Sequence, residues 1–399
     1  MALNIVHFSQ DFSPGKAQLG GYSRIYHETD DKENNHIIFT SHMGENGVRE
    51  EVRGHLRIVS IGVAAKSLRF WNKFYLAEQI ARGIHGFMQR TDLRPDLLFG
   101  HSQLFNFHIL DHLKKLLSRP VPLLWEANGL FGLPRKISEK WRFNPLARIE
   151  QKIVFEKADV IIAQTEAAKD AISRSFGIAG SKIHAVTNGA DADYLGKYEE
   201  GRYAAARRPF KVLFIGLLDT MNGITFLLRL LETAGIPGFS FSVVGSGEHQ
   251  DRVIEAARKK EIDYKGQVSH SEVSRIMAQC DFLIIPRLRF VSAEYFIPTK
   301  LLEAMAMGKI VIGSDVGGIS QVLSSGNDGF LFKAEEPLAL KKTLQQILEM
   351  PAQDLEAVSR RARQKIIDHY LWSSQHKKLA SVYGQWAGRH EGAASGPQR

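Results

Sequence analysis

Short apolar runs rich in β-branched residues alternate with helical periodicity along the whole chain, and this pattern most constrains the fold. In the first half, strands are expected at Leu3–Phe8, His36–Thr40, Leu56–Ile61, Asp96–Phe99, Val121–Glu126, Val160–Gln164 and Ile183–Thr187. In the second half they recur at Lys211–Ile215, Ser240–Val244, Ile262–Tyr264, Phe282–Ile285, Ile310–Ile312 and Gly329–Phe332. Helical segments separate many of them, among them Phe105–Leu117, Glu150–Lys157, Gly223–Thr233 and Thr299–Met307. Strands that alternate with helices call for parallel sheets covered on both faces. The pattern restarts after the polar, strand-free stretch DADYLGKYEEGRYAAARRP at 191–209. A chain of 399 residues is also too long for one hydrophobic core. The reading is therefore an α/β protein with two doubly wound, Rossmann-like domains, 1–190 and 210–370, and a linker over 191–209. A helix over 371–388 is expected to cross back to the first domain, and the tail 389–399 to be disordered. Ligands of such sheets bind outside the carboxyl ends of the strands, here expected to face each other across a cleft.

Composition narrows the class of function. With 44% hydrophobic and 24% charged residues, the chain has material for two full cores. Its single cysteine, Cys280, excludes an internal disulfide and a cysteine-rich metal site. The start MALNIVHFSQ has neither a basic leader nor a long apolar stretch, and no window reaches a membrane-spanning length, so a cytoplasmic protein is expected. A net charge of +9 invites nucleic acid or an anionic membrane surface. The basic residues cluster with Trp and Phe in 66–75 and 135–152, the composition of an interfacial segment. A solvated helix face with ordinary core aromatics explains the same residues. No zinc-finger or RNP-like motif is present, so nucleic acid is not expected.

The densest chemical signal is PRLRFVSAEYFIPTKLLEAMAMGKIVIGSDVGG at 286–318, read as strand end, loop, helix and strand. Pro298 suits a helix start and Gly308 a helix end. Glu303 then projects from the helix, and Glu294 stands in the loop that feeds it. Between them, the free amides of the helix start make a site for phosphate. A surface loop and an amphipathic helix with incidental acids is the plainer alternative. VGSGEHQ at 244–250 has Gln250 where a dinucleotide fingerprint needs its third glycine, so it reads as a turn near a nucleotide. Asp191-Ala192-Asp193 spells a metal-binding D-x-D but lies at the domain junction and reads as structural.

The 286–318 stretch resembles the signature of the retaining GT-B glycosyltransferases of family 4, whose paired glutamates frame a helix reading LLEAMA-x-G before a GG loop. By that resemblance Glu294 contacts the transferred sugar and Glu303 binds the ribose hydroxyls. The two acids stand nine positions apart here, one more than is usual, as in a subgroup with P-x-K-x-x-E-A-M-A wording. The likeness covers most of the chain. PGKAQLGGYSR (14–24) is similar to the family's glycine-rich loop, placing Gly20 and Gly21 against donor phosphate and acceptor. RPDLLFGHSQLFN (94–106) and VPLLWEANGL (121–130) resemble the segments that put His101, Glu126 and Asn128 toward the cleft, with His101 and Glu126 as catalytic candidates. VTNGADADYL (186–195) resembles the element that ends the first domain, while Gly216, Gly245 and Gly247 would border the nucleotide. One departure matters. The family carries an Arg and a Lys that neutralise the diphosphate, and GLLDTMNG (216–223) has Leu217 and Asn222 there. Arg287, Arg289 and Lys300 are the replacements at hand.

The resemblance implies transfer of a sugar from a nucleoside-diphosphate donor to a hydroxyl acceptor, with no metal or other cofactor. It also implies bacterial cell-surface or exopolysaccharide assembly on a saccharide or lipid-linked acceptor, peripheral on the inner face of the plasma membrane. A GT-B epimerase or phosphorylase, and a non-catalytic sugar-nucleotide-binding protein, remain as rivals. The missing Arg and Lys favour the last of these. A dehydrogenase ranks below them because no fingerprint is complete.

Overall fold

The structure, a computed structural model, describes residues 2–10, 21–31, 33–43, 46–53, 55–64, 73–101, 103–130, 145–205, 208–234 and 236–387. These residues form two compact units. The first takes those up to Val186 together with His376 onward, and the second is Thr187–Gln375.

The first unit holds β1 (Asn4–Phe8), β2 (Asn35–Met43), β3 (Gly47–Arg53), β4 (Leu56–Val63), β5 (Leu97–His101), β6 (Leu123–Ala127), β7 (Val160–Ala163) and β8 (Ile183–Ala185). They form one sheet in the order β3-β4-β2-β1-β5-β6-β7-β8. Strands β1, β5, β6 and β7 are buried along nearly their whole length, as a sheet covered on both faces requires. Helix Lys73–Arg90 turns Leu76, Ala77, Ile80, Ala81, Ile84, Phe87 and Met88 inward, the three-and-four spacing of an amphipathic face. Helix Glu166–Phe176 starts at Thr165, whose hydroxyl accepts from the Ala168 amide, and stops at Gly177 in the left-handed region.

The second unit holds β9 (Phe210–Ile215), β10 (Phe239–Val244), β11 (Asp263–Tyr264), β12 (Phe282–Ile285), β13 (Ile310–Ser314) and β14 (Phe330–Phe332). All pairs are parallel, in the order β11-β10-β9-β12-β13-β14. Counted within the unit this is 3-2-1-4-5-6, the dinucleotide-fold order, whose winding reverses between β9 and β12. The first unit reverses in the same way between β1 and β5.

Three expectations need correction. The first sheet is not wholly parallel, because β3 pairs antiparallel with β4 at its edge. That strand, GVREEVR, escapes a hydrophobic pattern because it is exposed along its described length and carries the charges that protect an edge from further pairing. The stretch 191–209 is not a linker. It contains a 3-10 helix, Ala192–Lys197, and a short helix, Arg202–Ala205, and it buries Tyr194 and Tyr203 in the second unit's cores. The first unit also ends earlier than 190, whereas its recovery of the last helix, expected over 371–388, is seen from His376 onward. From there helix Trp372–Ala387 sends Leu379, Val382 and Tyr383 into a core with Ile5, Leu97, Phe99 and Leu124. The tail 389–399 lies outside the described residues.

Tyr203 ties this misread stretch to two strands. Its hydroxyl donates to the Asp281 carbonyl at 2.6 Å and accepts from the Ile310 amide at 2.9 Å. Tyr203→Phe leaves a buried amide without its acceptor and is expected to cost about 1–3 kcal/mol in urea unfolding of the second unit. A loss indistinguishable from zero would show that the hydroxyl contributes nothing.

Candidate functional site

Reversal of winding leaves the turns after β9 and β12 diverging at the carboxyl edge of the second sheet, and the chemistry-bearing residues gather there. The turn after β9 begins at Gly216 and that after β10 at Gly245, both with φ near +139°. A Cβ on Gly245 would lie 1.9 Å from the Gly216 carbonyl oxygen, so the two turns pack backbone to backbone only because Gly245 lacks a side chain. Gly247 completes this packing, with Leu218 donating to the Ser246 carbonyl at 2.9 Å. Asn222 is buried, and its amide groups donate to Asp219 Oδ1 at 2.7 and 2.9 Å, which closes the loop. Leu217 is 62% exposed. Neither brings charge to the site.

The cations come from elsewhere. Lys300 follows Pro298 and Thr299 at the start of helix Thr299–Ala306 and reaches back to the turn after β9. Its Nζ donates to the Ile215 carbonyl at 2.6 Å and lies 5.4 Å from the centre of the Phe214 ring. A Cβ on Gly216 would approach that Nζ to 2.8 Å, so the glycine makes room for the ammonium. Burial, and then the neighbouring Arg287, push the lysine down to about 7, against the pull of Asp219 and Glu303. Arg287 donates to the Phe296 carbonyl at 3.2 Å, and burial lowers it to about 10, with Asp219 opposing. Its Nε is buried without a hydrogen-bond partner among the described residues. Two like charges thus share one edge with a single carboxylate facing both.

The two glutamates differ. Glu294 lies in the short helix Val291–Tyr295, not in a loop; five residues are too few for periodicity to reveal. Its Oε2 accepts from the Gly317 amide at 2.7 Å and its Oε1 from Arg289 at 3.3 Å. Arg289 also donates to Asp315 at 2.7 Å, so this arginine is engaged by two carboxylates and positions Glu294. Glu303, partly buried, is pushed up to about 7 by burial and the adjacent Asp191, while a hydrogen bond from Tyr194 and the charge of Lys300 pull the other way.

In the first unit the expected residues lie in a buried network. His101 ends β5 and Glu126 lies on β6, yet both side chains are buried, beneath groups from helix Gly21–Glu28. Arg24 of that helix contacts Glu126 Oε1, lies 2.8 Å from Glu28 Oε1, and donates to the Val186 carbonyl at 2.9 Å. His101 Nδ1 stands 2.7 Å from Glu126 Oε2. Both expected catalytic groups are thus tied into one buried network with helix Gly21–Glu28. Burial and the neighbouring Glu126 hold the Glu28 carboxyl well above its ordinary range. Glu126 is instead held low: Arg24 and His101 together outweigh its burial. Glu28, His101 and Glu126 could reach one metal ion, since their ligand atoms lie within 4.8 Å of one another. Arg24 already supplies the positive charge between the two carboxylates, so the set does not suit a cation. Gly21 opens its helix, and Gly20 lies outside the described residues. Sequence reading missed Arg24 and Glu28, although their four-residue spacing on a helix was available as a signal.

The family model described as Glycosyl transferases group 1 matches residues 199–365, and that described as Glycosyltransferase Family 4 matches residues 27–194. The chain belongs to the family 4 glycosyltransferases of the GT-B fold. Among curated members, the glycogen synthase of Mycobacterium tuberculosis is 27% identical over 250 residues, 59% of this chain and 56% of that protein. A putative colanic acid biosynthesis glycosyltransferase, WcaL of Salmonella typhimurium, is 23% identical over 58% of each chain. The chain thus matches little more than half the length of these relatives. Solved GT-B structures align over nearly all of it. Sucrose-phosphate synthase from Thermosynechococcus elongatus has a TM-score of 0.75 at 18% identity, covering 98% of this chain and 100% of its own. Anabaena HepE, in complex with UDP and glucose, has a TM-score of 0.71 at 16% identity, covering 96% and 99%.

The raised Glu303 carboxyl makes a signed prediction for this family 4 site. A carboxyl raised in the folded state contributes stability below its unfolded value, and that contribution is lost as pH rises through the folded value near 7. Glu303→Gln carries no charge at any pH. Its melting temperature relative to the parent's should rise between pH 4 and pH 8, the parent losing the contribution as pH passes from 4.5 to about 7. A difference that stays constant between these pH values would show that the carboxyl titrates normally.

Proposed function

We propose that this chain transfers a sugar, with retention, from a nucleoside-diphosphate donor to a hydroxyl acceptor in cell-surface polysaccharide assembly. The observation that carries the reading is the Arg287–Lys300 pair at the point where the second sheet reverses. Two cations held together against their own repulsion form a site that an anion relieves, and a leaving diphosphate is such an anion. In this reading the diphosphate lies against Lys300, Arg287 and the first amides of helix Thr299–Ala306. Pro298 makes no side-chain cap hydrogen bond there. Glu303 accepts from the ribose hydroxyls. Glu294, locked by Arg289 and the Gly317 amide, faces the transferred sugar. The acceptor oxygen attacks from the face the diphosphate leaves, while the sugar carbon becomes cation-like. Protein cations and helix amides carry the leaving charge, so no metal or cofactor is needed. The UDP complexes of HepE and the colanic acid assignment of WcaL support the donor class and the setting.

A lipid-linked acceptor is favoured by an apolar ridge on the first unit. Phe74 and Tyr75 at the start of helix Lys73–Arg90, and Leu146, Ile149 and Ile153 on helix Pro145–Lys157, are all exposed. Lys73 and Glu150, 2.7 Å apart, link the two helices, and His108 of the helix Leu104–Leu116 also meets Glu150. The basic stretches 66–72 and 131–144 that flank them in sequence lie outside the described residues. No described helix is long and apolar enough to cross a membrane. The expected mode of attachment is therefore peripheral.

Two measurements test this. Calorimetric titration of nucleoside diphosphates should show at least about tenfold weaker binding in Arg287→Ala and in Lys300→Ala, since one charge-assisted hydrogen bond contributes about 1.5–3 kcal/mol. The double variant should not bind, while melting temperatures stay close to the parent's. Parent-like affinity in both variants would remove the cations from the donor site. A parent that binds and turns over no donor would favour the non-catalytic reading, which the absence of charge at Leu217 and Asn222 keeps open. Separately, replacing Phe74, Leu146 and Ile149 by Ser should abolish sedimentation with anionic vesicles. Undiminished sedimentation would remove this ridge from any membrane contact.

A further inference from the structure

Three imidazoles cross the first unit's sheet in a single file that the reaction proposed above does not use. His36 on β2, His7 on β1 and His101 on β5 occupy neighbouring strands, and Glu126 continues the line on β6. His36 Nδ1 lies 2.8 Å from His7 Nε2, His7 Nδ1 lies 2.9 Å from His101 Nε2, and His101 Nδ1 lies 2.7 Å from Glu126 Oε2. Both nitrogens of His7 and of His101 are engaged in the file. The line is oblique: His36 stands near the amino end of its strand and His101 closes the carboxyl end of its own.

The two ends differ in their surroundings. At the carboxyl edge the file meets Glu126 and Glu28, with Arg24 against both. Two carboxylates and one guanidinium are balanced by one further proton. At the amino edge His36 and Asp31 line an open cavity of about 680 Å3 together with Asp30, Asn34, His55 and Arg57. His36 Nε2 is buried without a hydrogen bond, 3.5 Å from Asp31 Oδ2. Other groups face the file from the last helix: Tyr383, whose hydroxyl is buried without a hydrogen-bond partner among the described residues, and His376, which feels Asp30, Asp31 and His36.

We propose that His36, His7 and His101 form a proton relay between the cavity at the amino edge and the Glu126–Glu28 pair. A neutral imidazole donates at one nitrogen and accepts at the other, so a hydrogen-bonded file of three has a direction. In one order every Nδ1 carries the proton: His101 donates to the Glu126 carboxylate, His7 to His101, and His36 to His7. The His36 Nε2 is then open to a proton, and Asp31 Oδ2, 3.5 Å away, is the group placed to hand one over. A proton that enters at this Nε2 moves each ring proton one bond onward. It leaves all three rings as Nε2–H tautomers and one proton on the Glu126–Glu28 pair, of which Glu28 is the carboxyl held high, and the reverse passage restores the first order. No electrons move, and one proton is taken from or returned to water. Burial and the two flanking rings keep His7 well below the ordinary imidazole range, so charge passes through it without resting there. The relay makes the charge on the Glu126–Glu28 pair, and with it the grip of Arg24 on helix Gly21–Glu28, responsive to the opposite edge of the sheet.

The test is nitrogen-15 NMR of the full chain labelled at histidine, with no substrate present, so that its outcome is independent of any transferase activity. Expected are couplings across both imidazole–imidazole hydrogen bonds and a common switch of the three rings from Nδ1–H to Nε2–H at one midpoint as pH falls. His7→Gln can hydrogen-bond but cannot pass a proton on, and should abolish the switch at His101. His36→Ala, at the cavity edge, should abolish it at His7 and His101, with added imidazole restoring it. His55→Ala, on the cavity rim but outside the file, should leave the switch unchanged. Rings that hold fixed tautomers, or that titrate at separate midpoints, would overturn the relay, as would a His101 switch that survives both His7→Gln and His36→Ala.

Discussion

A parallel sheet covered on both faces can be wound outward from its first strand in only one direction at a time. To cover both faces the chain must return to that strand and wind the other way. In the second unit the return falls between β9 and β12, and the turns that follow these strands part at their carboxyl ends. The backbone there cannot fill the gap from either side. Gly216 and Gly245 narrow it by letting two turns touch, and Lys300 reaches into what is left. The chemistry of this unit is thus placed by its winding before any side chain is chosen.

What the side chains add is electrostatic tension of a particular sign. Arg287 and Lys300 share one edge of the sheet, and each is held below its ordinary range by burial. Glu303, on the same helix as Lys300, is held above its own. The lysine is pushed down and the carboxylate up, each to about 7. Any ligand that brings negative charge to the lysine, or hydroxyl donors to the carboxylate, draws each back to its charged form. Arg289 and Glu294 behave differently, because they neutralise each other together with Asp315 and the Gly317 amide. One half of the site is poised and the other half is fixed.

How much of this the amino-acid sequence discloses depends on the distance over which a feature is assembled. Glu294, Lys300, Glu303 and the glycine pair Gly317–Gly318 fall in one run of 33 residues that passes strand end, helix and next turn, so their proximity is written locally. The engagement of Arg289 by Asp315 falls in the same run but is harder to read, since the two stand 26 positions apart on turns that the pairing of β12 with β13 brings together. The first unit's buried network is assembled from positions 7, 24, 28, 36, 101 and 126, and only strand order brings them together. His101 and Glu126 were legible as strand-end residues. That Arg24 would cover them was not, because the sequence preceding its helix does not say onto which strand the helix folds. The 191–209 stretch misleads for another reason: two tyrosines nine positions apart anchor it, and a polar average hides them.

Helix Trp372–Ala387 has a consequence for how the molecule is made. Its residues from His376 onward complete a core whose other members, Ile5, Leu97, Phe99 and Leu124, lie in the first third of the chain. Domains made on the ribosome ordinarily fold in the order in which they emerge. Here the first unit emerges first and lacks part of its interior until the residues from His376 to Tyr383 have been added. The second unit is continuous from Thr187 to Gln375 and can close earlier. The nascent first sheet therefore waits with an apolar face uncovered for the whole synthesis of its neighbour, and a ribosome that stops short of residue 376 releases a finished second unit joined to an unfinished first.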